Sequence, residues 1–188
     1  MSLPTQIDEI PTWTVAQLVR GTVDRRSAFK WPVLVTGSEI SGPSGRVVVL
    51  RRFNAEMHQA VIYTDRRSKK VTHLADKPHA ELVFFDPKNL LQIRLRGTAQ
   101  VHANGTEKDS AFDQLPARSR SDYSTVTEPG GRLVSTKPER DLKLSRDHFA
   151  LIEIVAQEYD ILSLEREGHR RAQVSVAGHT CQASWVTP

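Results

Sequence analysis

Leu91-Gln92-Ile93-Arg94-Leu95-Arg96-Gly97-Thr98-Ala99-Gln100-Val101 alternates with a period of two. Leu91, Ile93, Leu95, Ala99 and Val101 point one way, and Gln92, Arg94, Arg96, Thr98 and Gln100 the other. That spacing predicts a long strand buried on one face, ending near the turn pair Asn104-Gly105. A strand half-buried in this way belongs to an antiparallel sheet with one side on the core. Working back, Ala80–Phe85, Gln59–Thr64, Arg46–Arg51 and Pro32–Thr36 read as strands, with a turn at Ser41-Gly42-Pro43-Ser44-Gly45. Working forward, Phe149–Val155, Tyr159–Leu164, Arg171–Val176 and Gln182–Val186 are further strands. Helices are expected over about 14–24, 68–76 and 107–115. Residues 1–12 read as an extended arm, and 116–146 as a long loop with at most a short helix. Strands in succession, without regular strand–helix alternation, predict a mainly β, antiparallel barrel decorated by helices.

The chain has 188 residues, 38% hydrophobic and 26% charged, which fits one globular domain over 1–188. No apolar run approaches the ~18 residues that span a bilayer, so no membrane role is expected. The first residues lack a basic and then apolar segment, so no secretory signal is read there. The single cysteine, Cys181, cannot form an internal disulfide and fits a reducing cytoplasm. Seven histidines include no H-x-H or H-x-x-x-H pair, so no dedicated metal site is expected. The glycine signatures of dinucleotide sites, P-loops and esterase elbows are absent.

The net charge is +4, and the basic residues cluster. Arg46, Arg51, Arg52, Arg66, Arg67, Lys69 and Lys70 fall within 25 positions that hold only Glu56 and Asp65 as acids. Cations at the start of a helix oppose its macrodipole, so those around Ser68-Lys69-Lys70 call for an anion. Free N–H groups, a hydroxyl and two ammonium groups there suit a phosphate. A nucleic-acid partner is disfavoured, because aromatic residues are only 6% and sit in strands rather than interleaving the basic residues. In a regular strand Arg46 and Arg51 fall on opposite faces, so they do not grip one phosphate together without a bulge.

The ordered set Arg46-Val47-Val48-Val49-Leu50-Arg51, Tyr63-Thr64-Asp65-Arg66-Arg67-Ser68-Lys69-Lys70 and Gln92 resembles the signature of the pyridoxamine 5′-phosphate oxidase-like split barrels. The resemblance covers about residues 28–102 well. It implies an FMN-binding split β-barrel, homodimeric, with the flavin between subunits. It further implies that Arg46, Thr64, Ser68, Lys69 and Lys70 hold the FMN phosphate. Tyr63 and the backbone of Val47, Val48, Val49 and Leu50 would line the ribityl chain and ring, and Gln92 would meet the ring edge. Gly168-His169-Arg170-Arg171 resembles the family's C-terminal H-x-R, which makes Arg171 a flavin contact. Arg51 would sit by the flavin ring or the substrate, and Arg118 and His169 become further candidates for substrate.

Two departures set the chain apart from the biosynthetic oxidases and closer to a divergent branch. The segment just before the tail motif holds no tryptophan, Tyr159 and Ile161 standing there instead, and Gln114 stands where an aromatic residue precedes the substrate arginine. The expectation is therefore an FMN-dependent oxidoreductase acting on an unspecified small molecule. A flavin or deazaflavin carrier and a true pyridoxamine 5′-phosphate oxidase are the alternatives.

Overall fold

The structure, a computed structural model, describes residues 2–165 and 168–188. Nine strands form one antiparallel sheet: β1 (Val33–Ser38), β2 (Gly42–Val47), β3 (Leu50–Asn54), β4 (Gln59–Asp65), β5 (His79–Asp86), β6 (Leu91–His102), β7 (Phe149–Ser163), β8 (Arg170–Ala177) and β9 (Thr180–Val186). The order is β2-β1-β5-β6-β7-β4-β3, with β8 and β9 added beyond β7. The first and last members of that path are consecutive in sequence. β2 pairs with β1, and β3 pairs with β4. The chain therefore passes directly from one end of this path to the other through Val48 and Val49, with no ladder between β2 and β3, and Val48 N–H donates to the Pro32 carbonyl at 2.9 Å.

The expected turn at Ser41–Gly45 is only partly a turn: the hairpin bend lies at Glu39–Ser41, Gly42 opens β2 at φ +64°, and Pro43, Ser44 and Gly45 pair with β1. Pro43 is tolerated because β2 pairs on one side only. The expected strand Arg46–Arg51 is not a single strand. It is the end of β2, a break at 48–49, and the start of β3, where the register also shifts between Leu50 and Arg52.

β7 is longer than the sequence suggests. The two expected strands are one of 15 residues, paired with β6 along most of its length. Its first half pairs with β4 and its second with β8, which is where the barrel splits. The register jumps from Arg96↔Glu158 to Gly97↔Ala156, leaving Gln157 as the extra residue of a bulge. That bulge breaks the alternation that a sequence reading depends on.

Helix α1 (Ile10–Val23) begins four residues before its expected start, with Pro11 in the first turn, where its missing N–H costs nothing. The N-terminal arm is shorter accordingly. Leu3 is buried, and Arg170 donates to the Leu3 and Pro4 carbonyls. α2 (Lys69–Asp76) ends before Pro78, and α3 (Thr106–Asp113) follows Gly105 at φ +97°. The segment 116–146 is mostly irregular, as expected, apart from α4 (Ala117–Arg120) and short single turns. The turn α5 (Ser145–His148) leads into β7.

Inside the barrel Leu34, Leu50, Ile62, Leu82, Ile93, Leu95, Ile152 and Ile161 are fully or almost fully buried. A second apolar cluster lies outside β4 and β7, where Phe112 and Tyr123 pack on Phe149 and Val61. Among the described residues no helix is long and apolar enough to cross a membrane.

Candidate functional site

Two separate elements bring cations together at one end of the barrel. Arg46 lies opposite Leu34 on the inward face of β2. Its guanidinium donates to Thr36 Oγ1 at 2.8 Å, Ser44 Oγ at 2.8 Å and the Leu34 carbonyl at 3.3 Å. Lys70, in the first turn of α2, donates from Nζ to Thr64 Oγ1 and Ser68 Oγ, each at 3.0 Å. Burial, then the charge of Arg46, pushes the Lys70 ammonium below its ordinary pKa. Burial lowers Arg46 as well. Among the described residues no carboxylate forms an ion pair with Arg46, Lys69 or Lys70; the nearest acid acting on Lys70 is Asp65, whose carboxylate is taken by Arg67.

Ser68 occupies the N-cap position of α2, yet its hydroxyl does not cap the helix. It donates instead to the Asp65 carbonyl at 2.7 Å, which leaves the first-turn N–H groups of α2 uncapped by it. Two hydroxyls, an ammonium, a guanidinium and a helix start form a cationic cradle that could hold a doubly charged phosphate. Lys69 is exposed at its rim.

Arg67 does not join the cradle. Its anion is Asp65, bound through Nε at 3.0 Å and Nη2 at 2.7 Å, and its remaining donors reach the Thr125 and Val126 carbonyls. It pins the 116–146 loop to the barrel. The sequence shows the cluster of cations but not which of them is already neutralised.

Arg51 faces away from Arg46, as the spacing predicts. Its guanidinium stacks over the Tyr63 ring at 5.3 Å from the centroid, and its Nε is buried without a hydrogen-bond partner. A buried donor left unmade costs about 1–3 kcal/mol, so this atom points to a missing acceptor. Arg51 lines a cavity of about 740 Å³, with Arg52 beside it and, opposite, Ser110 of α3 and Gln114 just past its end. Glu107 and Glu153 complete the polar wall. His102 is held between those two acids, Nδ1 at 3.1 Å from Glu107 and Nε2 at 3.0 Å from Glu153. The trio ties α3 to the sheet and is not visible as a spacing motif in the sequence.

The remaining candidates lie elsewhere. Gln92 is half-buried on the outer face of β6, opposite Phe85 and Leu162. Arg171 is opposite Leu162 on the same face. Arg171 grips Asp160 through Nε at 3.0 Å and Nη2 at 2.6 Å. Burial opposes ionisation of Asp160, but the hydrogen bonds from Arg171 and Gln173 outweigh it and hold the carboxyl below its usual range. Arg118 in α4 and His169 are exposed. The structure thus brings Arg46, Thr64, Ser68 and Lys70 together, sets Arg51 and Tyr63 together outside the barrel, and leaves Gln92 and Arg171 on a third surface. Thr36, Ser44 and His73, which surround Arg46, were not singled out by the sequence. The one signal is a polar Thr36 at an inward position of an otherwise apolar strand.

The comparisons with known proteins agree with this geometry. Residues 13–103 match the family model described as pyridoxamine 5′-phosphate oxidase, FMN-binding domain. A pyridoxine/pyridoxamine 5′-phosphate oxidase of Paraburkholderia phymatum is 31% identical over 111 residues, 56% of this chain and 51% of that protein. The chain thus spans about half the length of that relative. Pyridoxine/pyridoxamine 5′-phosphate oxidase 2 of Arabidopsis thaliana is 25% identical over 186 residues, covering 91% of this chain and 93% of that one. Among solved structures, a pyridoxamine 5′-phosphate oxidase-related, FMN-binding protein from Nostoc punctiforme superposes with a TM-score of 0.76 at 20% identity, covering both chains fully. PhzG from Burkholderia lata, solved with tetrahydrophenazine-1-carboxylic acid, gives 0.77 at 17% identity over 100% of this chain and 98% of its own. The antiparallel sheet, and the matched segment that carries the cradle and makes up just under half of the chain, make this protein similar to the pyridoxamine 5′-phosphate oxidase-like FMN-binding split barrels.

Proposed function

We propose that the chain is an FMN-dependent oxidoreductase that acts, as a homodimer, on a small polar molecule. The observation that carries the reading is the Arg46–Lys70 cradle, two cations with hydroxyls and no ion-paired acid among the described residues, inside the segment that matches the FMN-binding domain. Bound FMN supplies hydride or electron transfer, and the protein supplies position and electrostatics. Arg46, Lys70, Thr64 and Ser68 hold the phosphate, and Lys69 adds charge at the rim. The break at Val48-Val49 exposes backbone between β2 and β3 for the ribityl chain. Arg51, backed by Tyr63, offers its orphaned Nε to the substrate or ring edge. The visible spectrum of the purified protein and the mass of the released chromophore test this. FMN supports the reading, whereas a colourless protein that gains no flavin on incubation, or a deazaflavin, overturns it.

The cavity beside Arg51 favours a substrate other than a phosphate ester. Glu107 and Glu153 line it, and carboxylates repel a doubly charged phosphate. A single carboxylate or an electron-rich ring opposite Arg51 fits the same wall. A cytoplasmic setting suits Cys181, which has no cysteine partner.

The dimer reading rests on one sheet face. Val47, Val33 and Val83 form a cross-strand row on the outside of β2, β1 and β5, with Phe85 two residues along β5. Val47 is 63% and Phe85 45% exposed, a contiguous apolar face that a second copy would cover. The same outer face carries Gln92 and Arg171, on the opposite side of the sheet from the inward-facing Arg46 of the same chain. A partner's face would bring a Gln92 and an Arg171 to each cradle. Light scattering should therefore give twice 21.1 kDa for the flavin-loaded protein, and 21.1 kDa with flavin bound would show that one chain completes the site.

Retention of FMN should also depend on pH through Lys70. In the free protein its pKa is lowered by burial and by Arg46, and a bound phosphate favours the ammonium and raises it again. Affinity is therefore full below the free-state pKa and falls as pH rises through it, by up to about tenfold per unit. Titrations between about pH 7 and 10 should show this fall in the wild type and a flatter curve in Lys70→Arg, whose guanidinium stays charged. Superimposable curves would exclude Lys70 from the phosphate.

A further inference from the structure

We propose that His73 is a positioning residue of the cofactor site, holding Arg46 on the phosphate through Thr36. The inference rests on the phosphate reading of the Arg46–Lys70 cradle. Thr36 Oγ1 accepts from Arg46 Nη1 at 2.8 Å, so its own proton must go elsewhere. The acceptor in reach is His73 Nδ1, at 3.2 Å. That bond requires an unprotonated Nδ1 and places the ring proton on Nε2. Nε2–H then donates to Ser41 Oγ at 3.1 Å, which is 2.8 Å from Ser38 Oγ. Every group in the series Arg46, Thr36, His73, Ser41 thus has one donor–acceptor direction, set by the guanidinium at its head.

Placement supports a role beyond filling space. Thr36 and His73 are 3% and 7% exposed, so the series is shielded from competing water. His73 follows Lys70 by three positions on α2, which sets both on one side of the helix. α2 therefore supplies a direct cation from its first turn and, one turn on, the group that fixes the opposing cation of β2. The β1–β2 hairpin and α2 are thereby held at one separation, matched to a single anion between them. A guanidinium with a free rotor would have to be ordered by each incoming phosphate, and the relay removes that cost beforehand.

The test separates the relay from general packing by comparing FMN with riboflavin, which lacks the phosphate. Dissociation constants would be measured by fluorescence titration of the flavin-free full-length chain, for the wild type, His73→Asn, His73→Gln and Arg46→Ala. Asparagine places an acceptor oxygen where Nδ1 stands, whereas glutamine reaches towards the Nε2 position. His73→Gln should weaken FMN about 5- to 20-fold and leave riboflavin unchanged, and His73→Asn should stay within about twofold for both. Equal losses for FMN and riboflavin in His73→Gln, or identical behaviour of the Asn and Gln variants, would overturn the relay. Arg46→Ala reports on the underlying reading. If it leaves the FMN-to-riboflavin ratio unchanged, the phosphate is not at Arg46. If it lowers that ratio while His73→Gln does not, the relay alone fails.

Discussion

The double variant Arg46→Ala, Lys70→Ala should be purified without flavin, while folding as well as the flavin-free wild type. Each residue offers the phosphate a charge-assisted hydrogen bond of roughly 1.5–3 kcal/mol. Each single alanine should therefore weaken FMN by about one to two orders of magnitude, and the pair by about two to four. Stability should move little in the absence of flavin. Burial and the neighbouring Arg46 both disfavour the Lys70 ammonium, so in the empty cradle the two cations repel each other rather than hold the fold. Lys69→Ala, at the exposed rim, should lie nearer the wild type. Stoichiometric flavin in the double variant would remove the cradle from the cofactor site. A large loss of melting temperature in the flavin-free variant would mean that the pair is structural.

The second large effect concerns Gly97. A Cβ built there would press into the Val155 carbonyl, 2.8 Å from its carbon and 3.1 Å from Ala156 Cα. Those neighbours are the backbone of β7 at the bulge, with no flexible side chain to yield. Gly97→Ala should cost about 2–4 kcal/mol as overpacking against main chain, lowering the melting temperature by about 5–15 °C. Gly45→Ala is the control: its nearest neighbour is the Val33 Cγ1 methyl at 3.3 Å, on the outer face of β2, and the change should stay within about 1 kcal/mol. Circular dichroism melts decide the matter. A Gly97→Ala protein melting within a degree or two of the wild type would show that β6 and β7 can part at the bulge at no cost.

That bulge also explains what could be read from the residues alone. Leu91–Val101 was legible because one strand face is buried continuously, so the period of two survives. Phe149–Ser163 read as two strands because Gln157 inserts an extra residue and reverses the side-chain phase midway. Ser41–Gly45 carries the composition of a turn, and only its pairing with β1 makes most of it a strand; no local pattern reports that pairing. The cradle was legible for a different reason. Lys70, Ser68 and Thr64 are neighbours in sequence, and Arg46 is marked by its charge in a valine-rich run. Thr36 and His73 are 37 positions apart, so nothing in either's surroundings announces their contact. Arg67 shows the reverse: its charge pointed to a ligand, and its partner was Asp65, two residues away.

The place of β7 bears on how the protein is made. It lies between β6 and β4, hydrogen-bonded to both, yet it comes after residue 148 in the chain. While a ribosome has delivered only the first 148 residues, β1, β2, β5 and β6 can assemble on one side and β3 and β4 on the other, with no strand to join them. Both halves would then expose unpaired edges, a state prone to misassociation. The segment 13–103, which carries the family match and every cradle residue, is therefore not expected to fold by itself. A fragment ending there would leave α2 and the β1–β2 hairpin without the wall that keeps them facing one another, and translation must run past Ser163 before a nascent chain can retain its flavin.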